Sequence, residues 1–544
     1  MNFDSLNLPV AEIIPDVKMH LADQNTLLVT APPGAGKSTI LPLALMDEPW
    51  LRSKKIIVLE PRRLAASSIA YRMADLLGEQ VGNTVGYRIR FDNKISRKTR
   101  IEVVTEGILT RMLHSDNALE DVGLVIFDEF HERSIHADIA LALSREVQDV
   151  LRPDLRILVM SATLDVDQLA KMLAVPVIEG KGKMYPVELI YTGEQDLQQI
   201  PGLCARTIGK AVNEREGDLL AFLPGQAEIR KCAEILKRQL GGYAIHSLYG
   251  QLSNAEQEAA LLPDPRGRRK VVLATSIAET SLTIQGIRIV VDSGYSRKSV
   301  FDPGTGLSGL KTVQVSVDAA DQRAGRAGRL TAGACYRMWS HATHSRLALY
   351  RTPEIIDSDL APLVLDLLEW GISDATSLCW LDDPPEAALN SARELLAGLG
   401  AVEGDKITPH GKAIHRLPCH PRLANMLILA GETGTLPLAT DIAALLEERD
   451  PLDRQTAGAD LNLRIESLRR YRSGGQHDKR WDKIGKTASS YRKLFGIDAD
   501  NSTFDHDTTG LLLAYAYPER IASAKSGGTG LYQLANGKTA VISQ

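Results

Sequence analysis

The sequence predicts an α/β protein: two tandem lobes, each a parallel sheet wrapped by helices, then a helical region and the beginning of a small β domain. Three observations carry that prediction. From Thr26 onward, short β-branched runs alternate with helical stretches, the pattern of strands buried on both faces. The same alternation restarts after proline and glycine punctuation around 175–186. After Trp339 the β runs stop, and apolar residues recur at helical spacing instead.

In chain order, TLLVT, KIIVLEP, IEVVT, GLVIFDE and RILVMSAT read as strands of the first lobe, with helices over 38–46 and 135–146. DLLAFLP, AIHSLY, KVVLATS and IRIVVDS supply the second lobe. Segments 356–370 and 386–399 read as helices, followed by VEGDKITP as a small hairpin, and 423–432 and 441–448 continue the helical texture. GLYQLANGKTAVIS has the Asn-Gly turn and alternation of a hairpin. The chain stops in what reads as the middle of a β domain, so a longer natural protein is expected. The expected boundaries are 1–180, 181–340, 341–412, 413–515 and 516–544.

Length and composition narrow the classes. A chain of 544 residues is too long for one hydrophobic core. A net charge of −5 excludes a general polycation, so any nucleic-acid site must gather its cations in a groove. Five scattered cysteines form no disulfide framework, and no basic n-region with an apolar h-region opens the chain. No apolar run has membrane-spanning length, and a cytoplasmic protein without membrane contact is expected.

Ala31-Pro32-Pro33-Gly34-Ala35-Gly36-Lys37-Ser38-Thr39 follows a strand and opens a helix, the P-loop context. Backbone N–H groups and the helix N-terminus cradle phosphates there, Lys37 reaches the β and γ oxygens, and the Ser38 hydroxyl ligates magnesium. By itself the string [AG]xxxxGK[ST] occurs by chance in roughly 4% of chains this long, so the strand-before, helix-after setting is what gives it weight. Asp128-Glu129 ends the strand GLVIF; one carboxylate there can hold magnesium and the other orient an attacking water. Gln322-Arg323-Ala-Gly-Arg326-Ala-Gly-Arg329 places arginines three apart, with small residues between, able to meet charge developing on a γ-phosphate.

APPGAGKS (31–38), PRRLAA (61–66), TEGILTR (105–111), DEFH (128–131), SAT (161–163), FLPGQAEI (222–229), ATSIAETSLTI (274–284) and QRAGRAGR (322–329) stand in the order of the DEAH/DExH-box helicase motifs of superfamily 2. The chain resembles that family along its whole length, and within it the bacterial HrpB-type helicases. One departure is Phe130, where the name-giving box has alanine. The resemblance implies two RecA-like P-loop lobes, a winged-helix domain, a helical ratchet-like domain and the start of an OB-like domain. It implies that Gly34, Gly36, Lys37 and Ser38 bind ATP, that Asp128 holds the metal through its water, and that Glu129 positions the lytic water. Gln322, Arg326 and Arg329 are implied as γ-phosphate sensor and arginine fingers, and His131, Ser161 and Thr163 as the coupling between lobes. Arg72 and an aromatic would clamp the adenine, but Leu262 stands at the aromatic position. Arg62, Arg63, Thr105, Gly107, Gly225 and Thr275 match positions that hold a single strand by its backbone, contacts that give register without reading sequence.

Other patterns fail on context. Gly304-Thr-Gly306-Leu-Ser-Gly309 fits a dinucleotide fingerprint but lies between strand-like runs, and is read as a hairpin tip within 295–316. His131 and His136 are one residue too far apart for the zinc signature on a helix. His410, His415, Cys419 and His420 are read as ordinary packing, and RGRRK (266–270) as a solvated charge cluster. The implied activity is nucleic-acid-stimulated ATP hydrolysis with magnesium, driving movement along RNA, 3′ to 5′, and its unwinding, without zinc, flavin or nicotinamide. A DNA helicase and an ATP-gated RNA clamp that remodels complexes remain open as alternatives, and the sequence identifies no protein partners.

Overall fold

The computed structural model describes residues 8–32, 34–161, 166–180, 182, 185–194, 196–250, 252–279, 284–302, 305–452, 457–474, 478–525 and 530–541. Pro33 and Thr163, 280–283 of the ATSIAETSLTI motif and 303–304 of the glycine-rich string lie outside the described residues.

Eight strands form the first sheet: β1 (Thr26–Thr30), β2 (Lys55–Glu60), β3 (Val85–Ile89), β4 (Asp92–Lys94), β5 (Ile101–Thr105), β6 (Val122–Phe127), β7 (Arg156–Ser161) and β8 (Val177–Glu179). Their order is β4-β3-β5-β2-β6-β7-β1-β8, parallel except for the β3–β4 pair. Every residue of β6 and β7 is buried, because helices cover both faces; this is why those strands read as unbroken apolar runs. Parallel register brings the strand ends to one edge: Thr30 pairs with Ser161 and Leu59 with Phe127. Residues 31–32, 34–37, 60–63, 128–131 and 161 therefore meet at the carboxyl edge of the sheet, where ligands bind in such folds.

The second sheet contains β9 (Val187–Tyr191), β10 (Asp218–Phe222), β11 (Ala244–Leu248), β12 (Lys270–Ala274), β13 (Ile287–Asp292) and β16 (Gly333–Arg337), ordered β11-β12-β10-β13-β16-β9 and parallel throughout. β16 escapes the sequence reading for a physical reason. GACYR lies inside the sheet, yet it ends in a buried arginine whose ion pair to Asp321 offsets the charge and breaks the apolar pattern.

A hairpin, β14 (Tyr295–Asp302) and β15 (Leu307–Gln314), leaves this lobe with an antiparallel register from Tyr295–Gln314 to Asp302–Leu307. The sequence places all of GTGLSG at the tip. Instead Gly309 pairs with Val300 within the ladder, and among the described residues it is Gly306, at φ +66°, that supplies the left-handed turn.

Residues 341–358 and 378–384 pack with the two lobes, and 359–377 with 385–544 make a second compact unit. Asp382 reaches Arg133 at 2.7 Å, and the Gln168 amide donates to the Leu381 carbonyl, which ties the 378–384 loop to the first lobe. In the second unit, helices Ala361–Trp370, Glu386–Gly398 and Pro409–Arg416 surround the small hairpin Val402–Glu403/Lys406–Ile407. Helices Pro421–Glu432, Leu436–Glu447, Leu461–Arg472, Lys479–Phe495 and His506–Ala516 then share a core around Met426, Ile442, Trp481 and Tyr491. Buried Asp441 is gripped there by Arg472 at 2.8 Å and Arg492 at 3.2 Å. His410 hydrogen-bonds to Asn425, His415 to Asp366, and His420 to Asp359 while its Nδ1 accepts from the Arg422 N–H. Three antiparallel strands, Ala522–Ala524, Leu531–Leu534 and Thr539–Val541, follow, the last two joined through Asn536-Gly537. Among the described residues, no helix is long and apolar enough to cross a membrane.

Candidate nucleotide and nucleic-acid site

Beyond Thr30 the chain turns through Ala31, Pro32, Gly34, Ala35 and Gly36 into the helix Lys37–Leu45. Gly34 (φ +86°) and Gly36 (φ +91°) adopt left-handed conformations that turn the backbone amides inward, so side chains at these positions would be strained. The loop is braced from behind: the Val10 N–H donates to the Ala35 carbonyl at 3.1 Å, and a Cβ on Gly36 would meet Leu8 at 3.0 Å. Buried Lys37 rests its ammonium on the Ala31 carbonyl at 3.4 Å and stands 4.0 Å from the Glu129 carboxylate. The Thr39 hydroxyl donates to the Gly36 carbonyl.

Asp128 and Glu129 follow β6 directly. The Asp128 N–H donates to the Leu59 carbonyl at 3.0 Å, which continues the β2–β6 ladder past the strand. Burial, with Glu129 alongside, raises the Asp128 carboxyl to about 6, while Lys37 and the Ser38 hydroxyl oppose the rise. Glu129 has φ +50°, a backbone conformation that costs an L residue about 1–2 kcal/mol and that the surrounding structure enforces. His131 Nε2 lies 3.4 Å from the Glu129 carboxylate. Burial first, then Lys37 and Arg351, lower the His131 pKa to about 3, so the ring is neutral at physiological pH. Ser161 ends β7 beside the loop, its carbonyl accepting from the Ala31 N–H at 3.2 Å.

From the second lobe, Arg326 and Arg329 come within range of the Glu129 charge. Burial lowers both guanidinium pKa values, that of Arg329 to about 10, and the charge on Glu129 opposes the shift in each. Arg326 also donates to the Glu279 carbonyl at 2.8 Å. Gln322, on the helix Val317–Gly325, accepts from Arg351 at 3.3 Å. Arg323 goes elsewhere. It is 1% exposed, lies against the Phe222 ring, and bonds Glu279 and Asp292, each at 2.7 Å, within its own lobe.

The positions that the resemblance assigns to strand binding fall into two groups. Arg63 and Gly107 are exposed at the starts of the helices Arg63–Leu76 and Glu106–Ser115, with Thr105 as N-cap of the latter and Thr275 at the end of β12. Arg62 and Gly225 are covered. Arg62 pairs with Glu132 at 2.9 Å and donates to the Ile277 carbonyl at 2.9 Å, joining the two lobes. A Cβ on Gly225 would lie 2.8 Å from the Arg297 guanidinium, which is held by Glu228 at 3.0 Å. Arg297 thus presents a cation where the sequence reading placed only a glycine. Arg72 is exposed, as is Leu262. RGRRK is a solvated cluster in its first half only: Arg266 and Arg268 are exposed, whereas Arg269 bonds the carbonyls of Val212, Arg215 and Gly217, and buried Lys270 those of Ala260 and Leu262. Free carbonyls at the ends of neighbouring elements draw these cations inward.

Glu106 supplies a pH test. Burial, reinforced by Glu132, Glu354 and Asp138, raises its carboxyl to about 8 from an ordinary value of 4.5. Because the folded pKa lies above the unfolded one, the stabilisation is complete below about 4.5 and fades as pH rises to about 8. Glu106→Gln should flatten that decline. Thermal midpoints between pH 5 and about 8.5 check it, and parallel curves for variant and wild type would rule it out.

A P-loop at the edge of one doubly wound lobe, with arginines of a second in range of its Glu129 charge, defines a two-lobed P-loop nucleotide-binding protein. Residues 11–172 match the DEAD/DEAH box helicase family and 203–331 the helicase conserved C-terminal domain; the chain belongs to the DEAD/DEAH-box helicase family. It is 44% identical to the ATP-dependent RNA helicase HrpB of Escherichia coli (strain K12), over 98% of this chain and 64% of that protein. The ATP-dependent RNA helicase HrpA of the same organism is 34% identical over 90% of this chain and 39% of its own length. A crystal structure of the Escherichia coli DEAH/RHA helicase HrpB superposes with a TM-score of 0.87 at 44% identity, covering 98% of this chain and 66% of that one. The chain spans less than two thirds of the length of the curated relatives it matches.

Proposed function

We propose that this chain is an ATP hydrolase whose two RecA-like lobes convert ATP turnover into movement along, and unwinding of, RNA. The observation that carries the reading is the meeting of the two lobes at this edge: Arg62 of the first donates to the Ile277 carbonyl of the second at 2.9 Å, and Arg326 and Arg329 of the second lie within range of the Glu129 charge. A catalytic carboxylate and the cations for its transition state then belong to different lobes, so hydrolysis requires both to be in place and chemistry is tied to lobe movement.

In this reading the amides of 34–36 and the Lys37 ammonium hold the phosphates, Lys37 exchanging the Ala31 carbonyl for phosphate oxygens. Ser38 and Asp128 would hold magnesium. They supply hard oxygen donors, and Asp128 Oδ2 is buried without a hydrogen-bond partner, so the residues fit the ion. When bound, magnesium neutralises charge on the β and γ oxygens. Glu129 orients the water and accepts its proton, while Gln322, Arg326 and Arg329 meet the charge gathering on the γ-phosphate. His131, Ser161 and Thr163 serve the coupling. Arg63, Thr105, Gly107 and Thr275 line the strand, Arg297 joins them above Gly225, and Arg62 acts as a strut between lobes. We assign 341–412 to a winged-helix domain, 413–515 to a helical ratchet-like domain and 516–544 to the start of an OB-like domain, with 3′ to 5′ movement in the cytoplasm.

The deciding experiment compares unwinding of matched 3′-tailed RNA and DNA duplexes together with RNA-stimulated ATPase. Unwinding of DNA alone would make it a DNA helicase, and stimulated hydrolysis without unwinding of either would make it a clamp. The hairpin gives a second test. Replacing 301–312 with a short Gly-Ser turn removes no proposed ATP ligand, so RNA-free ATPase should persist while unwinding of a 3′-overhang RNA duplex is lost. Unimpaired unwinding would take the hairpin out of the mechanism.

A further inference from the structure

The segment that follows the second lobe, 348–357, touches three parts of the first unit that the proposed cycle must keep in step. The carbonyls of Ala348 and Leu349 accept from the N–H groups of Val317 and Asp318, at 2.9 and 3.1 Å, and hold the segment against the start of the Gln322 helix. Arg351 then donates to Gln322 Oε1 and to Asp318 Oδ2, both at 3.3 Å, and stands 3.7 Å from the Glu279 carboxylate. Glu354 reaches the first lobe. Its N–H donates to the Arg133 carbonyl at 3.0 Å, and its carboxylate accepts from the Ile135 N–H at 3.3 Å, just beyond DEFH. The Thr352 carbonyl and the Asp357 carboxylate hold the Lys298 ammonium, on the first hairpin strand, at 2.9 and 2.6 Å. Buried Ile355 anchors the turn between these contacts.

We propose that Arg351 is a positioning residue for Gln322 and that the Lys298–Asp357 pair lets the hairpin act on it through the same segment. The proposal rests on the ATPase reading above. A guanidinium can only donate, so it selects the carbonyl face of the Gln322 amide and turns the amide's N–H donors the other way, the orientation an anionic phosphate oxygen requires. Lysine and aspartate at 2.6 Å form the one charged tie between a hairpin strand and this segment among the described residues. Displacing the hairpin on a bound strand therefore pulls on the backbone that presents Arg351.

The test measures ATPase with and without single-stranded RNA, ATP KM and thermal midpoint for wild type, Asp357→Asn, Asp357→Glu and Arg351→Ala. Asp357→Asn should keep the RNA-free rate within about twofold and lose about fivefold in RNA stimulation, with Asp357→Glu restoring it. Arg351→Ala should lower kcat about tenfold with ATP KM changed less than about threefold, and an unchanged midpoint would separate positioning from folding. RNA stimulation equal to wild type in Asp357→Asn, or a loss that follows the midpoint and resists Asp357→Glu, would overturn the proposal. A wild-type protein without RNA-stimulated hydrolysis would overturn the functional reading instead.

Discussion

Glu129→Gln should bind ATP about as well as wild type and turn it over about 10²–10⁴-fold more slowly, the usual weight of a positioned acid–base group. The substitution keeps size and hydrogen bonding but removes the carboxylate, which cannot then take a proton from the lytic water. Binding should survive because the proposed phosphate cradle is the backbone of 34–36 with Lys37, and Glu129 enters it only as a neighbour 4.0 Å from the lysine. Lys37→Ala should do the reverse and weaken nucleotide affinity itself, since the ammonium is the group that exchanges the Ala31 carbonyl for phosphate. Fluorescent-nucleotide titration beside single-turnover hydrolysis reads both effects. Near-normal turnover by Glu129→Gln with RNA present would assign the catalytic carboxylate to another residue.

Arg323→Met should cost the second lobe about 3–5 kcal/mol, because it strips the cation from Glu279 and Asp292 and leaves two carboxylates buried. In a protein of this size that corresponds to a fall in thermal midpoint on the order of 10 °C. Arg326→Ala makes the contrast. It gives up the hydrogen bond to the neutral Glu279 carbonyl rather than two buried ion pairs. The variant should therefore lose far less thermal stability than Arg323→Met, bind ATP, and hydrolyse it about 10³-fold more slowly, as expected for loss of an arginine finger. Melting curves and ATPase rates measured on the two purified variants check the pair. A thermally intact but inactive Arg323→Met would place that residue at the phosphate as well.

Whatever depends on contiguous chain is legible in the letters. The phosphate loop is legible because strand, glycine turn and helix N-terminus are made by neighbouring residues, and the two left-handed glycines, Gly34 and Gly36, can be read from their letters. Buried parallel strands announce themselves as apolar runs, so β1, β2, β5, β6 and β7 were expected, and their register alone carries Asp128, Ser161 and the P-loop to one edge. The turns at Gly404 and Asn536-Gly537 were equally local. Strands with charged or glycine-rich letters, such as β16 and the outer β3 and β4, were not legible, because their burial or pairing depends on partners far along the chain.

Where the cations go follows from contacts between distant parts of the chain. Arg323, Arg326 and Arg329 are spaced alike, yet the first fills its own lobe and the other two come within range of the Glu129 charge, because the helix ends at Gly325 and tightens to a 3-10 turn over 326–328. Arg62 is a strut to the Ile277 carbonyl, Arg297 covers Gly225, and Arg269 and Lys270 of the RGRRK run turn inward to backbone carbonyls. A guanidinium or ammonium on a long stem takes the best uncompensated acceptor within its reach, and which acceptors lie within reach is a property of the folded lobes, not of neighbouring letters.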